Sequence, residues 1–474
     1  MVSILLPLLL SLGTAPEAKP QDAAIPNQQW SKKVGAQKMP NKKEFLKVAD
    51  YGAVNDGKTL NTKAIQNAID ACAAKGGGIV TFDPGAYLTG SIFLKQGVHL
   101  RIDAGVEIRG SQDISDYPQI DTRVAGIEMK WPAALINVIG QDNVAITGKG
   151  TVHAQGKPFW DKYWTMRKDY DKKGLRWAAD YDCGRPRTIL IAESSNVTLQ
   201  GITLKQAGFW TVHILYSKYV TVDGIVIRNN VDGNGPSTDG IDIDSSSFIL
   251  VENCDIDCND DNFCLKAGRD ADGLRVNRPT EYVVIRDCIS RAGGGLVTFG
   301  SETSGCIRHL LAHNLKAKGT KIGIRFKSAR TRGGTVEDIY IQDIDMNGVG
   351  TAIEVSVNWN PSYSYATLPA GYDLESIPQH WKTMLQKVEP PELGIPKFQN
   401  VHLSHIRVAD AGKAIAVSGT EESVVKDFYL NDVEIEANTA GAISYAKGWK
   451  FENVSIKAKD NSKLDVKNCT DMDL

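Results

Sequence analysis

One strand pattern returns along this chain at intervals of roughly 21 to 34 residues: apolar-x-apolar, a polar or glycine pair, then apolar again. It reads Val144-Ala145-Ile146, Val197-Thr198-Leu199-Gln200-Gly201-Ile202, Val220-Thr221-Val222-Asp223-Gly224-Ile225, Ile249-Leu250-Val251-Glu252-Asn253-Cys254 and Val283-Val284-Ile285-Arg286-Asp287-Cys288. Later copies begin at Leu310, Ile339, Val401, Phe428 and Trp449. Period-two alternation marks strands with one buried face, and recurrence at this interval marks stacked coils. The intervals leave no room for a helix in every unit, which disfavours leucine-rich horseshoes and βα barrels. An all-β, right-handed parallel β-helix fits best.

A second strand in each coil supplies an independent register. Ile241 and Ile243 alternate with Asp242 and Asp244, Phe263 and Leu265 with Cys264 and Lys266, and Ile324 and Phe326 flank Arg325. Val297 and Phe299 flank Thr298, and Ile353 and Val355 flank Glu354. Offsets between these strands, 27 from 297 to 324 and 29 from 324 to 353, equal those between the first strands at 283, 310 and 339. Asp239 then lies against Asp261, both pairs 239/261 and 241/263 being 22 apart, with Asp260 beside them. Arg325 shares an outward column with Asp242, Cys264 and Thr298, and Lys327 shares one with Asp244 and Lys266.

The rest of the chain is organised around this solenoid. Residues 1–20 read as a signal peptide: the apolar run Val2–Leu12 is too short to span a bilayer and is followed by the small residues Thr14 and Ala15, although a basic n-region is missing. Export to the periplasm or the extracellular space follows. Residues 21–45 are polar and proline-containing and read as a linker, and 46–474 as a single catalytic domain. Within it, Asn61–Cys72 has helical spacing at Ile65, Ala68, Ile69 and Cys72, can be capped by Asn61 or Thr62, and ends at Gly76-Gly77-Gly78. Such a helix would cover the open end of a repeat core. Insertions near 155–187 and 358–397 are rich in Trp and Tyr, either as loop cores or as sugar-stacking platforms.

Net charge is −2, so no general field favours nucleic acid or an anionic membrane, and an anionic ligand must be held by local cations. The 8 cysteines form no C-x-x-C pair, which disfavours zinc, and Cys254 and Cys288 fall in the same slot of successive repeats, as small core fillers do. No metal or cofactor is expected.

Asp239, Asp260 and Asp261, one coil apart, are the catalytic candidates. Glycosidic cleavage needs one protonated carboxyl for the leaving oxygen and one carboxylate to activate water or act as nucleophile. Crowded carboxyls cannot all ionise normally, so one should keep its proton near neutrality. Arg325 and Lys327, with Lys266, suit a uronate carboxylate. His213, on an outward column one coil below Asp242, is a candidate substrate contact, with a packed structural histidine as the other reading.

At these residues the chain resembles glycoside hydrolase family 28, the polygalacturonases and rhamnogalacturonan hydrolases. The likeness runs from about Ala49 to the C-terminus. It includes Ala49-Asp50-Tyr51-Gly52-Ala53, Gly85–Gly90, Trp210-Thr211-Val212-His213, Thr238-Asp239-Gly240-Ile241-Asp242, Asp260-Asp261, Gly300-Ser301-Glu302 and Arg325-Phe326-Lys327. The resemblance implies a pectin-lyase-like solenoid, inversion of configuration, Asp260 as general acid, Asp239 and Asp261 holding the water, and Arg325 and Lys327 on the substrate carboxylate. Two motifs depart: Ser237 stands where polygalacturonases have Asn, and Gly293-Gly294-Gly295-Leu296 lacks the histidine of their Gly-His-Gly.

The reading is therefore a hydrolase of α-galacturonosyl linkages in pectin, exo-acting if the insertions close the groove, with rhamnogalacturonan as the alternative backbone. The expected partner is a pectic polymer or oligomer, and the chain a monomer without a membrane span. Two other classes stay open. A pectate-lyase-like enzyme would need a calcium cluster, which three acids could begin to supply, but no second acidic group is expected to face them. A non-catalytic glycan-binding β-helix would release no reducing sugar.

Overall fold

The computed structural model describes residues 28–474, so the apolar run read as a signal peptide lies outside the described residues. The chain winds as a parallel β-helix: 31 strands join one sheet, and every pairing within it is parallel. Both ladders take the expected register. The first strands pair as Val197, Val220, Ile249, Val283, Leu310, Ile339, Val401 and Phe428 in succession. The second run Asp242, Cys264, Thr298, Arg325, Glu354. Inward residues of the second ladder, Ile243, Leu265, Phe299, Phe326 and Val355, are all fully buried. Phe299 and Phe326 stack at 4.4 Å between ring centroids. Each such side chain contributes ~1.5–3 kcal/mol of burial, so apolar stacking along the axis holds the coils in register.

The N-terminal helix spans Thr62–Ala74 and buries Ile65, Ala68, Ile69 and Cys72 against the end of the core. Its start differs from expectation, because the Asn61 side chain caps no helical N–H. Asn61 instead accepts from Val54 N at 2.7 Å and donates to Val54 O at 2.9 Å, tying the helix to the preceding turn. Cys254 and Cys288 are buried fillers, as their slot predicts, and Cys254 N lies 3.3 Å from Cys288 Sγ. All eight cysteines are unpaired.

The segment read as a linker is, from residue 28 onward, a strap laid across the coils. Trp30 packs edge-on to Tyr282 at 5.6 Å, Gly35 N donates to Phe248 O at 2.9 Å, Gln37 N donates to Asn196 Oδ1 at 3.0 Å, and Lys38 pairs with Asp142. Gly35 has φ +83°, and a Cβ there would lie 2.7 Å from Thr221 Oγ1, so only glycine lets the strap come this close. Polar composition concealed this, since the contacts are mostly backbone ones.

Three excursions leave the coils on the side that carries Asp239. They are an antiparallel hairpin of strands Gln119–Val124 and Ile127–Pro132, a first insertion with the helix Lys157–Lys172, and a second with helices Pro361–Ser364 and Gln379–Met384. They share one apolar cluster, in which Trp131 from the hairpin meets Trp177 and Tyr181 from the first insertion and Tyr363 and Trp381 from the second. The ring-rich insertions are therefore chiefly loop cores.

Candidate active site

The acids are set by coil stacking. Thr211 N donates to Asp239 O at 2.9 Å and Gly240 N to Asp261 O at 2.8 Å, which places Asp239 and Asp261 one above the other. One carboxylate oxygen of each lies within 4.8 Å of the other and of Cys264 Sγ. Asp239 and Asp261 are buried, while Asp260 keeps part of its surface open. Asp260 Oδ1 accepts from Asp261 N at 3.1 Å, which fixes its rotamer beside the pair.

The cations divide these acids into two kinds. Lys327 Nζ donates to Asp261 Oδ2 at 2.7 Å, Thr298 Oγ1 donates to Asp261 Oδ1 at 2.9 Å, and an Arg325 guanidinium nitrogen lies 3.7 Å from Oδ1. Burial opposes ionisation of Asp261, yet Lys327, Arg325 and Lys266 together hold its carboxyl well below the usual range. Asp260 is pushed the other way, first by burial and then by the Asp261 charge. Asp239 is raised well above its ordinary value by burial and by Asp242 and Asp260. A proton-holding carboxyl and an ionised one thus sit side by side, as acid–base cleavage requires.

Two carboxyl groups not read as catalytic candidates join the cluster. Asp242 and Glu302 face Lys266, whose Nζ lies 3.3 Å from Glu302 Oε2, 3.6 Å from Asp242 Oδ1 and 3.8 Å from Asp239 Oδ2. The expectation that no second acidic group faces the three aspartates is corrected by these contacts. Glu302 lies outside the strand columns, entering from the turn after Gly295–Phe299. The stretch Gly300-Ser301-Glu302 carried the signal. Lys266, expected to meet substrate, is 4% exposed, is held among these carboxylates, and sits 4.7 Å from the Trp210 ring centroid.

His213 is likewise reassigned. It pairs in register with Asp242 as predicted, but none of it is exposed, and Arg187, which donates to Thr122 Oγ1 and Arg123 O of the hairpin, lies against it. Arg187 Nη1 lies 2.8 Å from its Nδ1 and Asp244 Oδ2 3.6 Å from its Nε2, while Arg123 from the hairpin meets Asp244 at 3.0 Å. Burial, against the pull of Asp244, lowers its pKa to about 4, so it stays neutral. Alternation marks a residue as outward and cannot say what covers it.

The two departures from the resembled motifs have local accounts. Ser237 has φ +52°, a region where Asn is easier than Ser, and its Oγ donates to Asp180 Oδ1 at 3.0 Å, binding the catalytic turn to the first insertion. A Cβ on Gly294 would lie 2.9 Å from Asp261 Oδ1 and 3.0 Å from Asp260 Oδ1, so any side chain there presses on the acids. The Thr298 hydroxyl already donates to Asp261 at that point.

Arg325 lines a groove of about 540 Å³, while Lys327 is buried behind it. Arg325 Nε donates to Glu354 Oε1 at 2.9 Å, and Trp359 lies over both cations, 4.3 Å from Lys327 Nζ and 5.6 Å from Arg325 Cζ. Trp359 is the insertion ring placed where a sugar face could reach it. Asp239, Asp261 and Cys264 are close enough to grip a metal ion, but Lys327 already pairs with Asp261, and burial favours the protonated forms of Asp239 and of the thiol.

A profile of "Glycosyl hydrolases family 28" matches residues 84–377, and one of "Rhamnogalacturonase A/epimerase, pectate lyase-like" matches residues 45–113. A "Probable polygalacturonase" of Vitis vinifera is 31% identical over 79% of this chain and 76% of its own length. An "Exo-poly-alpha-D-galacturonosidase" of Dickeya chrysanthemi is 25% identical over 88% of this chain and 75% of its own. Among solved structures, a hyperthermoactive exopolygalacturonase from Thermotoga maritima superposes with TM-score 0.76 and 26% identity, covering 90% of this chain and 94% of that one.

Proposed function

The chain belongs to glycosyl hydrolases family 28, and on that premise we propose that it hydrolyses α-galacturonosyl linkages of pectin by inversion, from one end of the polymer. The observation that carries this is the split among the stacked acids, with Asp260 raised and Asp261 depressed beside Arg325 and Lys327. Asp260 donates its proton to the leaving oxygen, Asp261 with Asp239 orients the attacking water, and Arg325 takes a uronate carboxylate. One-ended action is supported by the hairpin and both insertions, which wall the site through their shared apolar cluster. The groove meanwhile continues along the C-terminal coils. Action outside the cytoplasm accords with the apolar N-terminal run.

The test is a product profile on homogalacturonan and on rhamnogalacturonan, for the wild-type chain and Asp260→Asn. Galacturonic acid should accumulate from the first minutes on homogalacturonan. The variant should lose 10²–10⁴-fold, roughly the contribution of general acid catalysis. A variant keeping more than about a tenth of the rate excludes Asp260 as the acid. Turnover of rhamnogalacturonan alone would transfer the assignment to that backbone.

A further inference from the structure

Beyond Arg325 the outward columns change character. The column that carries Asp242, Cys264, Thr298, Arg325 and Glu354 continues as Ala416 and Ala442. The neighbouring column passes from Lys327 to Ser356, Ser418 and Ser444. Large charged side chains give way to methyl and hydroxymethyl groups, so the floor drops and the groove forms with Trp359 as one boundary. A floor of small residues with a few hydroxyls suits a sugar ring, which needs both apolar contact and hydrogen-bond partners.

Lys413 lines the same groove. It is exposed, its strand neighbours are Thr351 and Thr439, and its ammonium group makes no ion pair or hydrogen bond among the described residues. Arg325, by contrast, is engaged by Glu354 and Asp261. Of the two cations lining the groove, Lys413 alone has no acid partner, and its strand lies two pairings past that of Arg325, ~10 Å along the axis. The intervening Glu354 would repel a carboxylate placed directly over it.

We propose that this groove is a second binding site for the polymer, in which Lys413 takes the carboxylate of a uronate unit lying beyond the one at Arg325. The proposal rests on the galacturonan reading above. It makes Lys413 a determinant of chain-length and charge preference and gives it no part in bond cleavage.

The test compares wild type with Lys413→Ala, Lys413→Glu and Lys413→Arg on galacturonate oligomers of two to six units. Exposed and charge-assisted contacts of this kind are modest. The hexamer-to-dimer ratio of kcat/KM should therefore fall about two- to fivefold in Lys413→Ala. It should fall further in Lys413→Glu, return toward wild type in Lys413→Arg, and fall less when the hexamer is methyl-esterified. A ratio equal to wild type in both Lys413→Ala and Lys413→Glu overturns this site and leaves the proposed activity standing. No turnover of any galacturonate oligomer by the wild-type chain overturns both.

Discussion

At the scale of the residue, the site is a problem of charge distribution. Three cations, Lys266, Arg325 and Lys327, meet five carboxyl groups, and which carboxyl each cation touches decides which one keeps a proton. Lys327 is closest to Asp261 and burial favours its bond. Asp261 must be ionised to act, so its depressed value keeps activity intact as pH falls into the ordinary carboxyl range. Asp260 must be protonated, so its raised value carries activity upward until pH passes it. Lys327→Ala removes a bond to a charged group worth ~1.5–3 kcal/mol, and kcat/KM should drop about 10–100-fold. Both limbs of the pH–rate profile should move to higher pH, the acidic limb further, because Lys327 lowers Asp260 as well as Asp261. Profiles of kcat/KM measure this, and limbs that stay in place would make Lys327 a scaffold residue. Asp239, Asp260, Asp261, Arg325 and Lys327 were legible because strand register alone brings them together. Glu302 and the burial of His213 were not, because one depends on the path of a turn and the other on a hairpin about 90 residues earlier in the chain.

At the scale of the element, the strands were legible and the excursions were not. A repeat tests itself, since each new copy must agree with both ladders, whereas an insertion occurs once and offers no second reading. Its organising contact is a buried ion cluster. Asp180 accepts from Arg176 at 2.8 Å, from Arg185 at 3.1 Å and from Ser237 Oγ at 3.0 Å, and Arg185 stacks over Tyr163 and Phe209. Burial resists ionisation of Asp180, but the two arginines hold its pKa below the usual value. The sign follows: its stabilisation is complete above the pKa of an unfolded aspartate and is lost as pH falls through the lowered folded value. Asp180→Ala leaves Arg185, with no exposed side-chain surface, facing no acid. Breaking such a pair costs about 3–5 kcal/mol. The expected outcome is faster proteolysis within residues 157–182 and a lower thermal midpoint, with activity falling too because Ser237 adjoins Asp239. A variant as protease-resistant as wild type at neutral pH would show that the apolar cluster alone holds the insertion.

At the scale of the whole molecule, the spacing of the solenoid bears on the proposed stereochemistry. Coils repeat at ~4.8 Å, and Asp239 and Asp261 stand at that separation, with oxygens within 4.8 Å. Taken alone, this gap resembles the ~5–5.5 Å of retaining glycosidases rather than the ~6.5–9.5 Å of inverting ones. The rule, however, concerns the distance between the acid and its opposite carboxylate, and the stacked pair is not that combination. In the proposed mechanism the ionised Asp261 and its neighbour Asp239, which burial keeps protonated, both lie on the side that grips water. Asp260, projecting beside them with part of its surface open, is the group able to meet the glycosidic oxygen. A water held between this pair and the anomeric carbon leaves neither Asp239 nor Asp261 free to attack that carbon itself. The first-formed sugar from an α-linkage should therefore be the β-anomer. Proton NMR of the anomeric signals during the first minutes of hydrolysis, before mutarotation mixes them, reads the outcome directly. Initial release of the α-anomer would recast Asp239 or Asp261 as a nucleophile and make the stacking distance itself the catalytic spacing.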